Sequence, residues 1–571
     1  MSNSIVQYIY KIFIASILLL LPIQQSLYAQ KTLSASEEER IVREIIGKMS
    51  LEEMIGQLFS LHVPLQTNNS VIRKYKPGSI FLDYRNIPSL GKNRRKQNIP
   101  ELKRRLTAIN KLYEKKGLVP PFYSIDQEGG YHKLLGKATR FPSFMAVAES
   151  LSNTPNKLDA FYLGLHTCKD LKAAGIQWNL SPVVDVQSNP DNPVIRLRSF
   201  SSNPQTVIQL ATRYLRGMRV AGCLDSIKHF PGHGDTGKDS HIALPVVRKS
   251  LADLQKLELS PFRNLISNSP SAAVMTAHII YPKLDNKPAT LSKYWLDTVL
   301  RRKWGYRGII ITDNLAMKAI PKFKKSNDYG AIAVESLQAG ADILLLTGNV
   351  AKFTGVMFAA IQKAVQKGTL RKERIAKSAK RFLSEKLRLG LADPWIRKAL
   401  QSERDPALRK LYLRSLQVSK RKYQLLQKTL HNAPSAYLLN RKLSKRAIKS
   451  IILGKRFSEQ EIQKMPTFAN KQSSARRLTR LHNFSGNARI LAFGKDLAKV
   501  LRMRTKNRKG TWLIYTNKNP FPYKKIGSVL KQGDSLIVTF SRTTTSRFFL
   551  QKIFFAGVQP AKANVHYIPK R

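Results

Sequence analysis

Between residues 38 and 390 the chain alternates short apolar runs with segments whose apolar residues recur at helical spacing. An early helical segment opens with a capping box, in which Ser50 and Glu53 satisfy free backbone N–H groups. The apolar runs predict eight buried strands, at Gln57–Val63, Ser79–Leu82, Phe122–Asp126, Gln177–Val184, Asp225–Phe230, Ala273–His278, Gly308–Asp313 and Asp342–Thr347. Eight strands alternating with helices over roughly 350 residues favour an α/β fold, a (β/α)8 TIM-type barrel rather than an open sheet.

Polar side chains stand at the carboxyl ends of four of these predicted strands. They are Asp126, His229, His278 and Asp313. In a (β/α)8 barrel the catalytic face is built at this end of the strands. We therefore expect these four side chains to share one rim of the barrel and function to be located there.

The chain beyond the predicted barrel has a different pattern. Residues 391–434 form a helical linker rich in Lys and Arg, and residues 435–571 form a smaller, basic and divergent α/β sandwich domain. The strands predicted in this second domain are Ile448–Leu453, Arg489–Phe493, Thr511–Tyr515, Ser535–Phe540 and Val565–Ile568.

The N-terminus carries an apolar run from Ile12 to Leu21 behind Lys11. About ten apolar residues fit a signal-peptide core and are too few to span a bilayer comfortably. We expect residues 1–29 to be a signal peptide removed after Ala29, and the protein to be periplasmic or secreted. A retained anchor is the alternative, because Leu27 stands where a small residue is preferred.

Cys168 and Cys223 are the two cysteines of the chain. In an oxidising compartment they are able to pair, and otherwise they are small buried apolar residues. The sequence leaves both interpretations open, a disulfide or two separate buried cysteines.

The chain is strongly basic, with 98 Lys and Arg against 36 Asp and Glu and a formal net charge of +62. The excess is concentrated in residues 401–571, which hold 38 Lys and Arg against six Asp and Glu. Such a field attracts anionic envelope polymers, which we expect to contact the basic C-terminal domain, and no specific nucleic acid is expected. A general compositional bias with no dedicated partner explains the charge equally well.

Residues 228–245 form the densest set of titratable side chains, with three histidines in a loop rich in Gly and Pro. Gly232, Gly234 and Gly237 match a dinucleotide-binding spacing, but no convincing helix follows to face a pyrophosphate. A metal site is disfavoured because the histidine spacing fits no zinc pattern and Lys228 would repel a cation. Acid/base chemistry fits better: Asp239 is placed to orient His241, and Asp313 is a candidate nucleophile. No cofactor or metal is expected.

Lys228–Thr236 together with Asp239–His241 resembles the signature of glycoside hydrolase family 3, specifically its β-N-acetylhexosaminidase branch. Further segments agree with this resemblance in order and spacing: Met49–Leu58, Ile125–Gly130, Asn179–Asp185, Asn192–Phe200, Met275–His278 and Thr312–Leu315. The resemblance covers residues 40–390 and is weak over residues 435–571.

The resemblance implies retaining, exo-acting hydrolysis of terminal β-linked N-acetylglucosamine (GlcNAc), with peptidoglycan fragments or other glycans as substrates. It makes Asp313 the nucleophile and His241, paired with Asp239, the acid/base group. It also assigns sugar binding to four positions, Asp126, Arg198, Lys228 and His229.

Two positions depart from the family pattern. Leu134 stands where the family commonly has an arginine that contacts the sugar, and Arg196 stands where it prefers glycine. Two alternatives therefore remain: a β-glucosidase-like member, and a catalytically lost protein that binds glycans or polyanions.

Overall fold

The computed structural model describes most of the chain between residues 33 and 439. The described ranges are 33–90, 97–130, 134, 141–151, 158–189, 192–240, 243–268, 271–324, 326–431, 433, 435 and 439, together with four strands between residues 504 and 556. The expected signal peptide, residues 1–29, lies outside them.

Each of the eight strand segments predicted for the first domain contains an observed strand. The strands of this region are β1 (Phe59–Leu61), β2 (Ser79–Leu82), β3 (Phe122–Ile125), β4 (Trp178–Asn179), β5 (Ser226–Phe230), β6 (Ala273–Thr276), β7 (Ile280–Tyr281), β8 (Asp285–Pro288), β9 (Ile309–Ile311) and β10 (Leu344–Leu346). Strand β4 is shorter than predicted, and Pro182, which lacks an N–H, interrupts regular pairing beyond it. The short β7–β8 hairpin was not predicted.

Eight of these strands pair in parallel in two sheets, ordered β10-β1-β2-β3-β4 and β5-β6-β9, and β7 and β8 form a separate antiparallel pair. Single parallel bridges connect the two sheets at both sides. Trp178 pairs with Leu224 between β4 and β5, and Ile311 pairs with Ile343 between β9 and β10. The domain is therefore an α/β fold whose eight parallel strands present their carboxyl ends in the same direction.

Helices follow most of the strands and cover the sheet. They are α1 (Ala35–Gly47), α2 (Leu51–Gln57), α3 (Ser70–Tyr75), α4 (Ile99–Lys115), α5 (Phe144–Ser150), α6 (Leu158–Ala173), α7 (Pro204–Val220), α8 (Leu251–Lys256), α9 (Leu259–Asn268), α10 (Ala319–Lys324), α11 (Tyr329–Ala339), α12 (Val350–Gln366), α13 (Lys372–Arg388), α14 (Asp393–Ser402) and α15 (Pro406–His431). A π-helix, Tyr294–Lys303, precedes β9. Helix α2 begins at the predicted capping box: Ser50 accepts from the Glu53 N–H, and Glu53 accepts from the Ser50 N–H.

Helices α6 and α7 pack unusually close together. Gly164 of α6 faces the backbone of Tyr214, and Gly217 of α7 faces the backbone of Phe161. The structure also pairs the two cysteines, as a disulfide between Cys168 in α6 and Cys223 just after α7. The two glycines thus permit the close approach of the helices, and the disulfide links them covalently.

The segment predicted as a linker, 391–434, does not stand apart from the domain. Its helices α14 and α15 pack through Ile396, Leu408 and Tyr412 against Ile41 and Ile45 of α1, in an apolar cluster. Amphipathic helices bury their apolar stripe where a complementary face exists, and α1 supplies that face.

The described part of the C-terminal region is an antiparallel sheet. Its strands are β11 (Arg504–Thr505), β12 (Thr511–Tyr515), β13 (Ser535–Arg542) and β14 (Phe548–Ala556), in that order. Two predicted strands fall on β12 and β13, whereas β14 was not predicted. The predicted strands Ile448–Leu453, Arg489–Phe493 and Val565–Ile568 lie outside the described residues.

Helices long and apolar enough to cross a membrane are absent from the part of the chain that the structure describes.

Gly217→Ala should destabilise the protein, because a Cβ there would overlap the Phe161 carbonyl oxygen. Overpacking of this kind costs about 1–3 kcal/mol. Gly47→Ala is the matched control, since its Cβ would meet no atom within 4 Å. Thermal unfolding followed by circular dichroism should show a lower midpoint for Gly217→Ala alone. Equal midpoints for the two variants would contradict the close crossing.

Candidate active site

The carboxyl ends of the parallel strands gather the polar residues that the sequence singled out. Asp126 directly follows β3, while Lys228 and His229 lie within β5. His278 comes two residues after β6, and Asp313 two residues after β9. The rim predicted from the sequence therefore exists as a shared end of the strands.

Lys228 is the centre of this rim. Its Nζ lies 2.7 Å from Asp126 Oδ1 and 2.7 Å from Glu128 Oε1. The Lys228 and Glu128 side chains are almost fully buried, whereas Asp126 is 30% exposed. Asp126 is therefore the most exposed of these three side chains.

Glu128 bridges two cations. Besides Lys228, it accepts from Arg198 Nε at 2.8 Å and from Arg198 Nη2 at 2.9 Å, which is a bidentate geometry. Burial raises the pKa of Glu128, but the charges of Arg198 and Lys228 outweigh it and hold that pKa well below its ordinary value. Glu128 is thus an anion that keeps both cations in place.

His229 is oriented by a second buried carboxylate. Its Nδ1 lies 2.7 Å from Asp185 Oδ2, and Asp185 also accepts from the backbone N–H groups of His229 and His233. On the opposite side of the ring, His229 Nε2 lies 3.4 Å from Arg198 Nη2. Asp185 therefore fixes which way the imidazole faces.

Arg198 reaches the rim from a short 3-10 helix, Arg196–Arg198. The preceding turn is held by Asn192, whose Oδ1 accepts from the N–H groups of Val194 and Ile195. Asn192 also donates to the His233 carbonyl at 2.7 Å, which ties this turn to the loop after β5.

The loop after β5 is organised by His233. Its two ring nitrogens lie 2.8 Å from Thr236 Oγ1 and 3.0 Å from Ser240 Oγ. Burial, followed by the charge of His229, lowers the pKa of His233 to about 4. His233 is thus a neutral anchor for the segment that leads to Asp239.

Asp239 is half-buried in this loop, and its carbonyl accepts from the Ala243 N–H at 2.9 Å. The proposed acid/base residue His241 lies outside the described residues.

Asp313 is half-buried on the turn that follows β9. It lies close enough to His233 for its charge to act on that ring. The next residue is fixed by two contacts: Asn314 Nδ2 donates to Thr347 Oγ1, and the Asn314 carbonyl lies 3.0 Å from His278 Nε2. His278, which the sequence placed on the rim, is fully buried and positions this turn.

Sequence reasoning missed the buried partners, Glu128 and Asp185. Glu128 lies within the segment Ile125–Gly130, and Asp185 lies within Asn179–Asp185. The sequence signal that could have identified them is an acidic residue shortly after each predicted strand. It also missed a cluster after β1 and β2, where Asp83 Oδ1 lies 3.0 Å from His62 Nε2 and Oδ2 accepts from Arg85.

The two departures from the family pattern have different structural consequences. Leu134 is buried in an apolar cluster, and its backbone is held by the Gln127 amide. Arg196 adopts a φ of 43°, in the left-handed region that favours glycine, while its Nε donates to the Asn192 carbonyl. Leu134 therefore supplies no polar side chain, and Arg196 carries backbone strain.

Residues 50–384 match the family model described as the glycosyl hydrolase family 3 N terminal domain. The chain belongs to glycosyl hydrolase family 3. The match spans the strands and the rim described above.

Relatives within family 3 agree with this assignment. The chain is 35% identical over 298 residues to a beta-hexosaminidase A from Pseudoalteromonas piscicida, covering 48% of this chain and 49% of that protein. It is 36% identical over 253 residues to a beta-hexosaminidase from Tolumonas auensis, covering 44% and 74%. The match therefore spans about half the length of the first relative.

Solved family 3 structures resemble the chain as well. A glycoside hydrolase family 3 beta-N-acetylglucosaminidase from Paenibacillus sp. str. FPU-7 has a TM-score of 0.55 and 30% identity, covering 65% of this chain and 69% of that one. A beta-N-acetylhexosaminidase from Beutenbergia cavernae has a TM-score of 0.52 and 26% identity, covering 59% and 99%.

We expect His233 to make the protein less stable in mild acid. Because its folded-state pKa of about 4 is below the unfolded value near 6.5, the unfolded chain binds more protons between these values. The contribution of neutral His233 to the free energy of unfolding is fully present above pH 6.5. It decreases as the pH falls toward 4, by up to about 1.4 kcal/mol per pH unit. Urea unfolding at several pH values should show a shallower dependence for His233→Asn. Identical slopes would contradict a buried neutral histidine.

Arg196→Gly should be more stable than Arg196→Ala by about 1 kcal/mol, because only glycine removes the Cβ clash of the left-handed conformation. Both variants lose the Arg196 hydrogen bond to Asn192, so the comparison isolates the backbone strain. Urea midpoints measure the difference. An alanine variant as stable as the glycine variant would refute the strain.

Proposed function

We propose that this family 3 member is a retaining, exo-acting β-N-acetylhexosaminidase that removes terminal β-linked GlcNAc from peptidoglycan fragments or other glycans. The observation that carries the proposal is the single array of Asp126, Lys228, Glu128, Arg198 and His229, which lies at the same end of the parallel strands as Asp313. The names of the hexosaminidase relatives support the choice of sugar.

The array suits recognition of a sugar. Asp126 accepts hydrogen bonds from sugar hydroxyls, and Lys228 and Arg198 donate to sugar oxygens. Glu128 holds Lys228 and Arg198, and Asp185 holds His229, in fixed positions before a ligand arrives, so little reorganisation is needed on binding.

The proposed chemistry has two displacements. Asp313 attacks the anomeric carbon while His241 protonates the departing oxygen, which forms a glycosyl-enzyme and releases the aglycone. A water molecule then gives a proton to His241 and attacks the anomeric carbon, which frees Asp313. Asp239 is the positioning residue that orients the imidazole and stabilises its charged form. An imidazole suits both roles because its ordinary pKa is near neutrality.

We propose a (β/α)8 barrel as the scaffold for this chemistry. Support comes from the parallel bridges between β4 and β5 and between β9 and β10, which connect eight strands in a ring. Export, with residues 1–29 as a signal peptide or retained anchor, is also a proposal. It is supported by the Cys168–Cys223 disulfide, because such bonds persist in oxidising compartments. Contact of residues 435–571 with anionic envelope polymers stays a prediction.

The test is hydrolysis of aryl β-GlcNAc and aryl β-glucoside by the full chain and by Asp313→Asn. We expect turnover of the GlcNAc substrate, with a loss of at least about 10³-fold in kcat for the variant, because no covalent intermediate forms. Faster turnover of the glucoside would favour the β-glucosidase alternative. Absence of turnover on both substrates would leave a binding protein.

The acid/base role is tested separately by His241→Ala and Asp239→Asn. Glycosylation by His241→Ala should be impaired most for substrates whose aryl leaving group has a high pKa, since these need protonation. Lys238→Ala is the matched control, because Lys238 is exposed in the same loop. Equal losses across leaving groups would argue against proton donation by His241.

A further inference from the structure

A second concave surface lies at the opposite end of the strands from the proposed active site. It is a cleft of about 2250 Å³, lined in part by residues that directly precede β5, β6 and β9, such as Asp225, Ala272 and Gly308. Because these strands are parallel, the cleft and the Asp313 rim lie at opposite ends of the sheet. The proposed hydrolysis does not use it.

The cleft has a strong charge imbalance. Twelve Lys and Arg line it, against three Asp and Glu. Two of the three carboxylates are already engaged, since Asp225 contacts Arg219 and Glu385 contacts Arg388. Seven lining cations make no salt bridge within the described residues: Lys172, Arg307, Lys377, Arg397, Lys420, Arg421 and Lys422.

Lys172 shows the effect of this imbalance most directly. Burial lowers the pKa of its amino group, and it has no carboxylate partner among the described residues. A bound anion would compensate the buried charge.

Exposed apolar side chains are concentrated in the same cleft. Val220, Leu413, Tyr423 and Leu425 line it, and each exposes between 37% and 61% of its surface. Leu413, Tyr423 and Leu425 belong to α15, which also contains Lys420 and Arg421. Contiguous exposed apolar groups indicate an interaction site, and their combination with cations on a helix is typical of binding to anionic lipids.

We propose that this cleft binds the surface of an anionic membrane, with lipid phosphates on its cations and acyl chains against Leu413 and Tyr423. Charge argues against the remaining chain as the occupant, because residues 441–571 hold 30 Lys and Arg and only four Asp and Glu. A soluble polyanion would satisfy the cations but would leave the apolar side chains in water.

The test measures binding of the full chain to vesicles of phosphatidylcholine, with and without 30% phosphatidylglycerol. Lys377→Glu combined with Lys420→Glu should weaken binding to the anionic vesicles at least about tenfold. Lys103→Glu combined with Lys111→Glu, on exposed positions of α4, is the control with the same change in net charge. This control also accounts for attraction by the rest of the basic chain.

The apolar contribution is tested by Leu413→Ser combined with Tyr423→Ser, with Leu158→Ser combined with Val356→Ser as the exposed control. We expect only the cleft variants to weaken vesicle binding, and circular dichroism should show that all variants are folded. Equal losses for the cleft and control charge variants would overturn the proposal. Tight binding of sodium polyphosphate, together with no effect of the serine substitutions, would also overturn it and indicate a soluble polyanion.

Discussion

The buried ion array around Lys228 is the interaction on which the proposed active site depends. Enclosing a charge in the protein costs several kcal/mol unless opposite charges and hydrogen bonds compensate it. Here Asp126 and Glu128 compensate Lys228, and Glu128 also holds Arg198. These residues come from β5, from the loop after β3 and from a 3-10 helix. The array therefore forms only when all three elements are in their folded positions. The fold and the site therefore stabilise each other.

Much of the architecture was readable from the sequence because buried parallel strands leave continuous apolar runs. The carboxyl ends of those runs predict Asp126, His229 and Asp313 at one end of the sheet, and the parallel strands have them there although they are far apart along the chain. The partners Glu128 and Asp185 were harder to find, since Glu128 lies 70 residues from Arg198 and Asp185 lies 44 residues from His229. Such pairs depend on strand register and loop path, which no local pattern specifies.

The differences between expectation and structure have identifiable physical causes. A helical segment rich in Lys and Arg was interpreted as a linker, but its apolar stripe packs on α1. The two cysteines were ambiguous because pairing depends on how α6 and α7 cross, and Gly164 and Gly217 permit the close approach. The role of His241 is proposed from its spacing to Asp239 and from the resemblance to family 3.

The Cys168–Cys223 disulfide has a consequence for local motion. The 55-residue separation of its cysteines encloses Asp185, Asn192 and Arg198, which hold one side of the site. A covalent link at both ends of this segment restricts its freedom in the unfolded ensemble, so partial opening gains less entropy. The resistance of this side of the proposed active site to local unfolding thus depends on the redox state of the surroundings.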